Sequence, residues 1–394
     1  MKDQTRLALT GQQTDGCYKS VVPPLYQTAI FKFKDIGETA GFDYTRSGNP
    51  TRRALEDALS ELDGGVGAVA TTSGMGAVST VLATLDADAH IICSHDCYGG
   101  TERLLTRLAT QKKLAVDFVD LSDVVGFANA LRPESRLVWI ETPSNPLLRV
   151  VDIERIAAAA HDAGLLVVVD NTFLSPLGQR SIALGADYVV YSTTKYINGH
   201  SDVVGGAVVA ATEELNEAIQ YAANAFGTIA QPFDCWLVIR GLKTLPLRLR
   251  QHEENARAVA EFLAIHPAVR RVFYPGLASH EGHELARRQQ QFFGGMVSFE
   301  VEGGIEAVNT VLRGTRVFSL AESLGGVESL IEHPATMSHA SMRPEQRETA
   351  GITEGVIRLS VGIEDAGDLI SDLERALDEA LEAVDADLAA VAAC

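Results

Sequence analysis

The sequence predicts an α/β protein whose large domain is built on a mostly parallel sheet. Between residues 60 and 250, short apolar runs alternate with stretches that have the spacing of amphipathic helices, a pattern typical of doubly wound sheets. The run Leu165–Val169 stops at Asp170, and the run Asp187–Tyr191 leads into Ser192-Thr193-Thr194-Lys195. Because ligands of open α/β sheets bind at the carboxyl ends of the strands, these polar residues predict a binding site.

Length and charge limit the possible partners. The chain has 394 residues, enough for two domains with sizeable cores. Its content of 46% hydrophobic and 22% charged residues is ordinary for a globular protein. The formal net charge of −19 disfavours nucleic acid or an anionic membrane surface as a partner.

The cysteines indicate reduced thiols and argue against a metal site. They are few for this length, odd in number, and lack the paired spacing of zinc ligands. No basic segment followed by an apolar one opens the chain, and no apolar run reaches the ~18 residues of a membrane span. We therefore expect a cytoplasmic protein with no membrane partner. The cysteines are Cys17, Cys93, Cys97, Cys235 and Cys394.

The first 60 residues are predicted to form an extended arm. They show little strand or helix periodicity before Thr51, and Pro23-Pro24 and several glycine-containing turns interrupt them. Asn49-Pro50-Thr51 predicts the start of a helix, with Asn49 or Thr51 as its cap.

Residues 61–250 carry the strands of the predicted large domain. Amphipathic stretches such as Ile153–Ala163 separate several of these strands, which favours a mostly parallel, doubly wound sheet. The predicted strands are Ala68–Thr72, His90–Ser94, Val116–Val119, Leu137–Glu141, Leu165–Asp170, Asp187–Ser192 and Gly206–Ala210.

A smaller C-terminal α/β domain is predicted for residues 251–394. A helix is expected around Arg240–Arg257 with a bend near Pro246, and the domain boundary is placed there. The predicted elements of this domain are the strands Met296–Glu300, Arg316–Phe318 and Val356–Ser360 and a final acidic helix, Ala366–Val384.

Lys195 and Asp170 together favour a pyridoxal phosphate (PLP) site. A lysine amine can form a Schiff base with the cofactor aldehyde, and a carboxylate beside the pyridine nitrogen keeps the ring an electron sink. The hydroxyls of Ser192 and Thr194 can bind phosphate oxygens. Each of the two central residues also has an ordinary structural explanation. Asp170 alone could be a helix cap or a turn residue, and Lys195 alone could be a solvated surface lysine.

Two glycine-containing segments differ in their position relative to a predicted strand. Gly65-Val66-Gly67-Ala68-Val69-Ala70 matches the dinucleotide pattern G-x-G-x-x-A but precedes its strand, which argues against NAD or FAD. Ser73-Gly74-Met75-Gly76 follows the strand and opens a helix-like run, Ala77–Thr84, so its backbone amides suit an anion. The ordinary alternative is a plain turn between a strand and a helix.

Two motifs resemble those of the Cys/Met metabolism family of PLP enzymes. They are VVDNTF, which contains Asp170, and YSTTKYINGHSDVVGG, which contains Lys195; the resemblance runs from about Val22 to about Leu373. It implies a PLP-dependent transferase of fold type I, with a mostly parallel central sheet in the large domain and a smaller C-terminal α/β domain. It also implies that Lys195 holds the cofactor as a Schiff base.

The resemblance assigns cofactor-binding roles to residues of several motifs. Tyr44 and Arg46 form a Y-x-R motif that would reach into a neighbouring subunit, where the planar guanidinium suits the cofactor phosphate. Tyr98 would stack on the pyridine ring and assist proton movement. The expected cofactor-binding residues are Tyr44, Arg46, Ser73, Gly74, Met75, Tyr98, Asn145, Asp170, Thr172, Ser192, Thr194 and Lys195, of which Lys195 and Tyr98 are also expected to be catalytic.

A substrate-carboxylate site is expected around Arg358. This residue lies in the apolar segment VIRLS, where packing alone would not place a charge, and a buried arginine needs an anionic partner. The resemblance implies that the partner is the α-carboxylate of an amino-acid substrate; a structural ion pair is the ordinary alternative. The expected substrate-binding residues are Asp43, Asn145, Glu322, Ser323 and Arg358.

The expected reaction is a γ-replacement. The chain most resembles bacterial family members that exchange the acyloxy group of O-succinyl- or O-acetyl-L-homoserine for L-cysteine. Gly100 stands where methionine γ-lyases usually have cysteine, and Leu324 where cystathionine β-lyases usually have tryptophan. The open alternatives are γ-elimination from cystathionine, a homocysteine-forming sulfhydrylase, and a PLP-binding protein without activity.

The resemblance also predicts self-assembly. If Tyr44 and Arg46 complete a neighbour's site, the catalytic unit is at least a dimer. Members of the family are typically homotetramers built as dimers of dimers, with closed symmetry. The expected partners are therefore small amino-acid substrates and further copies of this chain.

Overall fold

The computed structural model describes residues 1–12, 14–340, 342, 347 and 350–392, with side chains up to residue 383. The described chain divides into two units. The first contains Met1–Ser94, Gly100–Glu141 and Asp152–Pro246, and the second contains His95–Gly99, Thr142–Val151 and the chain from Leu247 onward. Two short segments that directly follow strands of the first unit therefore belong to the second.

The sheet of the first unit is mostly parallel, as the sequence predicts. Its strands are β1 Gly67–Thr71, β2 His90–Ser94, β3 Ala115–Val119, β4 Ser135–Glu141, β5 Leu166–Asp170, β6 Tyr188–Tyr191 and β7 Gly206–Ala210. Their order across the sheet is β1-β7-β6-β5-β4-β2-β3. β7 runs antiparallel to both β1 and β6, and the other neighbours are parallel.

Helices precede, connect and follow these strands. In chain order they are α1 Asp3–Ala8, α2 Pro50–Asp63, α3 Gly74–Leu82, α4 Gly99–Thr110, α5 Val124–Ala130, α6 Ile153–Asp162, α7 Ser175–Gly178, α8 Glu213–Phe226 and α9 Pro232–Leu242. α2 begins as predicted, because the Asn49 side chain accepts from the Thr51 and Arg52 N–H groups and satisfies first-turn amides. The sequence does not predict α1, whose six residues bury one apolar side chain, Leu7.

The middle strands of this sheet are buried on both faces. Val167, Val168 and Val169 of β5 are fully buried, as are Val138 and Trp139 of β4. Strands buried on both faces read as continuous apolar runs, which explains why the sequence revealed them. The polar residues that follow such runs mark the places where the strands leave the core.

A second sheet forms in the second unit. Its strands are β8 Val269–Phe273, β9 Met296–Val301, β10 Ser319–Leu320, β11 Leu330–Glu332 and β12 Val356–Ser360. Their order is β10-β11-β12-β9-β8, with β10 parallel to β11 and the other neighbours antiparallel. β9 and β12 agree with predicted strands. The sequence does not reveal β8, which two arginines interrupt, or β11, which has three residues.

Two sequence-based expectations for this part of the chain are wrong. Arg316–Phe318 is not a strand, because its three backbone N–H groups donate to the Asp372 carboxylate at 2.8–3.1 Å. The expected bent helix is two helices, α9 and α10 Leu245–Leu263. Pro246 stands in the first turn of α10, where its missing N–H has no intrahelical partner to lose.

The remaining helices follow α10. They are α11 His283–Gln289, α12 Gly304–Gly314 and α13 Ala366–Ala392. The observed α13 extends beyond the predicted end at Val384. Among the described residues, no helix is both long enough and apolar enough to cross a membrane.

A buried carboxyl–phenol pair joins α2 to β6. Asp63, the last residue of α2, is 2% exposed, and the Tyr191 hydroxyl donates to its Oδ2 at 2.5 Å. Asn171 Nδ2 donates to the same phenol oxygen at 3.1 Å. Because the charged carboxylate would be desolvated, burial raises the pKa of Asp63 from 3.8 to about 7.

We expect Asp63→Asn to remove part of the pH dependence of stability. A carboxyl whose pKa is higher in the folded than in the unfolded chain stabilises the fold at low pH. That contribution is lost as the pH rises from 3.8 through the folded pKa of about 7. The fall in melting temperature between about pH 5 and about pH 8 should therefore be smaller in the variant than in the natural protein.

A control on the same helix separates this effect from general charge removal. Glu61→Gln changes a carboxylate of α2 whose side chain is 60% exposed, and it should keep the natural pH dependence. If Asp63→Asn also keeps it, the buried carboxyl does not titrate as described.

Candidate active site

Thr172 holds Asp170 at the carboxyl end of β5. The Thr172 backbone N–H and hydroxyl donate to Asp170 Oδ1 at 3.1 and 2.6 Å. The same hydroxyl accepts from the Ser192 N–H at 2.9 Å, which joins the end of β5 to the segment after β6. Burial raises the pKa of Asp170, so a cation beside this carboxylate would offset the cost of its charge.

The turn between β1 and α3 packs against the Ser192 segment. The Ser73 side chain caps α3 by accepting from the Gly76 N–H at 3.0 Å, and Gly74 and Met75 are the first residues of the helix. A Cβ on Gly74 would lie 2.9 Å from Ser192 Cβ, closer than side-chain carbons approach. The absence of a side chain at Gly74 therefore lets the amides at the start of α3 approach Ser192, an arrangement that suits an anion.

Lys195 follows β6 in a turn that hydrogen bonds hold in place. Its carbonyl accepts from the Gly199 N–H at 2.8 Å. The Thr194 hydroxyl donates to Gly205 O at 3.1 Å and accepts from the Gly205 N–H at 3.0 Å. The half-buried Lys195 therefore lies on a well-supported turn at the same sheet edge as Asp170.

These groups fit PLP. The N-terminus of α3 and the nearby hydroxyls can hold a phosphate, and the desolvated Asp170 can pair with a protonated pyridine nitrogen. The Lys195 amine can bind the aldehyde. The predicted cofactor residues that the first unit brings to this sheet edge are Ser73, Gly74, Met75, Asp170, Thr172, Ser192, Thr194 and Lys195.

Tyr44 and Arg46 lie together on the N-terminal arm. The guanidinium carbon of Arg46 lies 5.5 Å from the centre of the Tyr44 ring, and Arg46 Nε donates to Asn224 Oδ1 at 3.1 Å. Both side chains and that of Asp43 are exposed. Action of these residues in a neighbouring subunit's site stays a prediction.

The second unit gathers Asn145 and Ser323 around Arg358 of β12. Arg358 Nη1 donates to Asn145 Oδ1 at 3.0 Å, and Nη2 donates to Ser323 O at 2.7 Å. Ser323 has a φ of 103°, which is costly for a residue other than glycine, so the bond from Arg358 helps to hold this turn. Glu322 and Tyr98, also in this unit, are exposed.

Glu332 is a buried member of this cluster that sequence reasoning missed. It stands opposite Arg358 in the register of β11 and β12, and its Oε1 lies 3.0 Å from Arg358 Nη1. The sequence predicts a substrate carboxylate as the anionic partner of the arginine, whereas the folded chain supplies a carboxylate of its own. A signal was present, because Glu332 directly follows two apolar residues in a segment that reads as buried.

Ser338 and His339 extend the cluster. Ser338 Oγ donates to Glu332 Oε1 at 2.5 Å, and His339 Nε2 lies 3.0 Å from Asn145 O. Burial, and after it the charge of Arg358, lowers the pKa of His339 to about 4, so the ring is neutral near neutral pH. The charges that face each other here are therefore those of Arg358 and Glu332.

Known proteins that resemble this chain belong to one family but have several different activities. A sequence model described as Cys/Met metabolism PLP-dependent enzyme matches residues 4–378. A cystathionine beta-lyase of Lactococcus lactis subsp. cremoris is 47% identical over 376 residues, covering 95% of this chain and 99% of that protein. A cystathionine gamma-lyase of Bacillus subtilis (strain 168) is 45% identical over 381 residues, covering 96% and 100%.

A solved structure matches over nearly the full length. It is a cystathionine gamma synthase from Xanthomonas oryzae pv. oryzae in complex with aminoacrylate and cysteine. The TM-score is 0.96 at 51% identity, and the match covers 98% of this chain and 99% of that chain. The names of these three similar proteins give three different activities. Similarity therefore identifies the family of this chain but does not identify its reaction.

Proposed function

The chain belongs to the family of Cys/Met metabolism PLP-dependent enzymes, and we propose that its reaction is that of a cystathionine gamma-synthase. In this reaction L-cysteine displaces the acyloxy group from Cγ of O-succinyl- or O-acetyl-L-homoserine, and L-cystathionine and the free carboxylate result. The observation that best supports an amino-acid substrate is the buried guanidinium of Arg358, which Asn145 and Ser323 orient.

In this reaction, different residues of the chain bind the substrate and move its protons. Arg358 binds the α-carboxylate of the substrate, and Asn145 Oδ1 fixes the guanidinium from 3.0 Å. Lys195 takes the proton from Cα and returns a proton to the carbon skeleton, while Tyr98 assists proton movement. The cofactor, when bound, supplies the electron sink that makes the α-proton removable. At Cγ the bond to the acyloxy oxygen breaks, the bond to the cysteine sulfur forms, and the thiol proton is released.

Two positions count against β-elimination from cystathionine and γ-elimination from methionine, and one relative supports replacement. Leu324 is buried in the turn where family β-lyases usually have tryptophan, and Gly100 stands where methionine γ-lyases usually have cysteine. The synthase from Xanthomonas oryzae is 51% identical, which points the same way.

The second candidate is γ-elimination, in which cystathionine and water give cysteine, 2-oxobutanoate and ammonia. The Bacillus subtilis gamma-lyase, 45% identical, favours it, and the Lactococcus beta-lyase, 47% identical, keeps β-elimination as a third outcome. An O-acylhomoserine sulfhydrylase has less support. A PLP-binding protein without activity has least, because pure binding requires no substrate arginine.

Product analysis of the purified protein with its cofactor distinguishes these reactions. Given O-succinyl-L-homoserine and L-cysteine, we expect cystathionine to accumulate, and given cystathionine alone, we expect little 2-oxobutanoate. Rapid release of cysteine and 2-oxobutanoate from cystathionine would instead establish a γ-lyase. Homocysteine and pyruvate would establish a β-lyase, and no turnover with bound cofactor would overturn all three reactions.

We infer in addition that the active unit is at least a dimer and that the full assembly is a homotetramer. Support comes from the exposed Tyr44 and Arg46, which lie on an arm rich in exposed apolar side chains such as Ile30 and Phe33. Such a surface favours contact with another chain. A single-chain molar mass in the preparation used for the product assay would contradict this assembly.

A further inference from the structure

Arg358 has an internal carboxylate partner before any substrate carboxylate arrives. The side chains of Arg358 and Glu332 are 3% and 1% exposed, with Nη1 and Oε1 3.0 Å apart. Antiparallel pairing of β11 and β12 places the two residues directly opposite each other. Removing two charges from water is costly, and their mutual attraction offsets that cost.

The guanidinium is shared among several acceptors. Nη1 donates to Asn145 Oδ1 and contacts the Glu332 carboxylate, while Nη2 donates to Ser323 O. These contacts fix the plane of the guanidinium. A substrate carboxylate that approaches this group meets a positive charge that already faces a negative one.

We propose that Glu332 is a positioning residue that also acts as a competing counter-ion, lowering the affinity of Arg358 for the substrate carboxylate. The inference rests on the proposed function, in which Arg358 binds that carboxylate. Two carboxylates that share one guanidinium repel each other, and each therefore weakens the binding of the other. Moderate affinity favours release of a product that carries the same α-carboxylate as the substrate.

Ser338 changes how strongly the Glu332 carboxylate competes for Arg358. Its hydroxyl donates to Glu332 Oε1 at 2.5 Å, the oxygen that also faces Arg358. A hydrogen bond to a carboxylate stabilises its charge, so Glu332 depends less on the arginine. Loss of the Ser338 hydroxyl should therefore strengthen the internal ion pair, whereas loss of the Glu332 charge should abolish it.

Two matched probes isolate the carboxylate contribution. L-Norvaline has the α-amine and α-carboxylate of the substrate but no leaving group, and butan-1-amine is the same molecule without the carboxylate. Binding of each probe to the protein with its cofactor is measured from the change in cofactor absorbance. Melting temperature with and without L-norvaline gives a second readout that requires no turnover.

For Glu332→Gln we expect L-norvaline to bind roughly tenfold more tightly, with binding of butan-1-amine unchanged. Without a probe the variant should melt at a lower temperature, because the charge of Arg358 is buried without its counter-ion. L-Norvaline should raise that temperature more than in the natural protein. Weaker or unchanged L-norvaline binding, or an equal change for both probes, would overturn the inference.

If Glu332→Gln does not fold, Glu332→Asp draws the carboxylate back from Arg358 and should also tighten L-norvaline binding. Ser338→Ala gives a test with the opposite sign, and the signs of the two variants are compared because the Ser338 hydroxyl also lies 2.8 Å from His339 Nδ1. Ser338→Ala should weaken L-norvaline binding a few-fold, and unchanged or tighter binding would contradict the role of Glu332. A purely structural role predicts weaker binding in both variants. Glu300→Gln is the control, since Glu300 pairs with Arg270 at 3.8 Å on the same sheet and should leave both probes unaffected.

Arg358→Lys separates this inference from the proposed function. It keeps the positive charge but removes the planar fork that binds a carboxylate through two nitrogens. We expect weaker binding of L-norvaline and unchanged binding of butan-1-amine. If L-norvaline binds this variant as it binds the natural protein, the assignment of Arg358 in the proposed function fails, and not only the role of Glu332.

Discussion

Replacing Lys195 with alanine is expected to reduce turnover by a factor on the order of 10³ or more. The reason is that, in the proposed function, one amine both anchors the cofactor and moves the substrate protons. Lys195 lies on a turn supported by Thr194 and Gly199, so the substitution removes the amine from a segment whose backbone bonds remain. The measurement is the steady-state rate of cystathionine formation from O-succinyl-L-homoserine and L-cysteine.

A second readout identifies the lysine directly. Borohydride reduction of the natural protein should leave the cofactor mass on the peptide that contains Lys195, and the alanine variant should lose this label. Lys113→Ala is the matched control, because Lys113 is an exposed lysine of the same unit, and it should keep both rate and label. Cofactor mass on another lysine of the natural protein would show that Lys195 is misassigned.

Asp170→Asn is expected to lower the rate roughly 10–1,000-fold. A neighbouring carboxylate shifts the pKa of a basic group by about 1–3 units, and each unit changes the ratio of protonated to neutral forms about tenfold. Without this charge the cofactor nitrogen is less often protonated and withdraws electrons less strongly. The measurements are the same steady-state rate and the pH dependence of the cofactor absorbance.

Two further substitutions make the role of Asp170 specific. Thr172→Val removes the hydroxyl that donates to Asp170 Oδ1 at 2.6 Å and should give an intermediate loss of rate. Asp162→Asn changes an exposed aspartate of the same unit and should have no effect. A natural rate in Asp170→Asn would mean that this carboxylate does not pair with the cofactor.

The best sequence predictions concern features that are local in the chain. β2, β7 and β12 agree with predicted strands residue for residue, because each is a short, largely apolar run that begins at or next to a glycine or a polar residue. Asp170 and Lys195 stood out for the same reason, since each ends or follows a run of buried residues. Their meeting at one sheet edge follows from the parallel pairing of β5 and β6.

The errors concern contacts between distant residues. Arg316–Phe318 has the apolar character of a strand, but its amides bind the Asp372 carboxylate, for Arg316 a contact across 56 positions. The partner of Arg358 was expected to be a substrate because the family resemblance implies a substrate carboxylate there, with a structural ion pair as the alternative. Glu332 fills that place through the register of two strands.

Residue patterns were therefore sufficient for the α/β class, most strands of the first sheet, the family and its cofactor. Hydrophobic runs and motifs act through neighbours in the chain, and a single sequence contains that information. By contrast, only the folded chain shows which buried polar and charged side chains face each other. Strand register and helix packing bring Glu332 to Arg358 and Asp63 to Tyr191, and burial then sets their energetics.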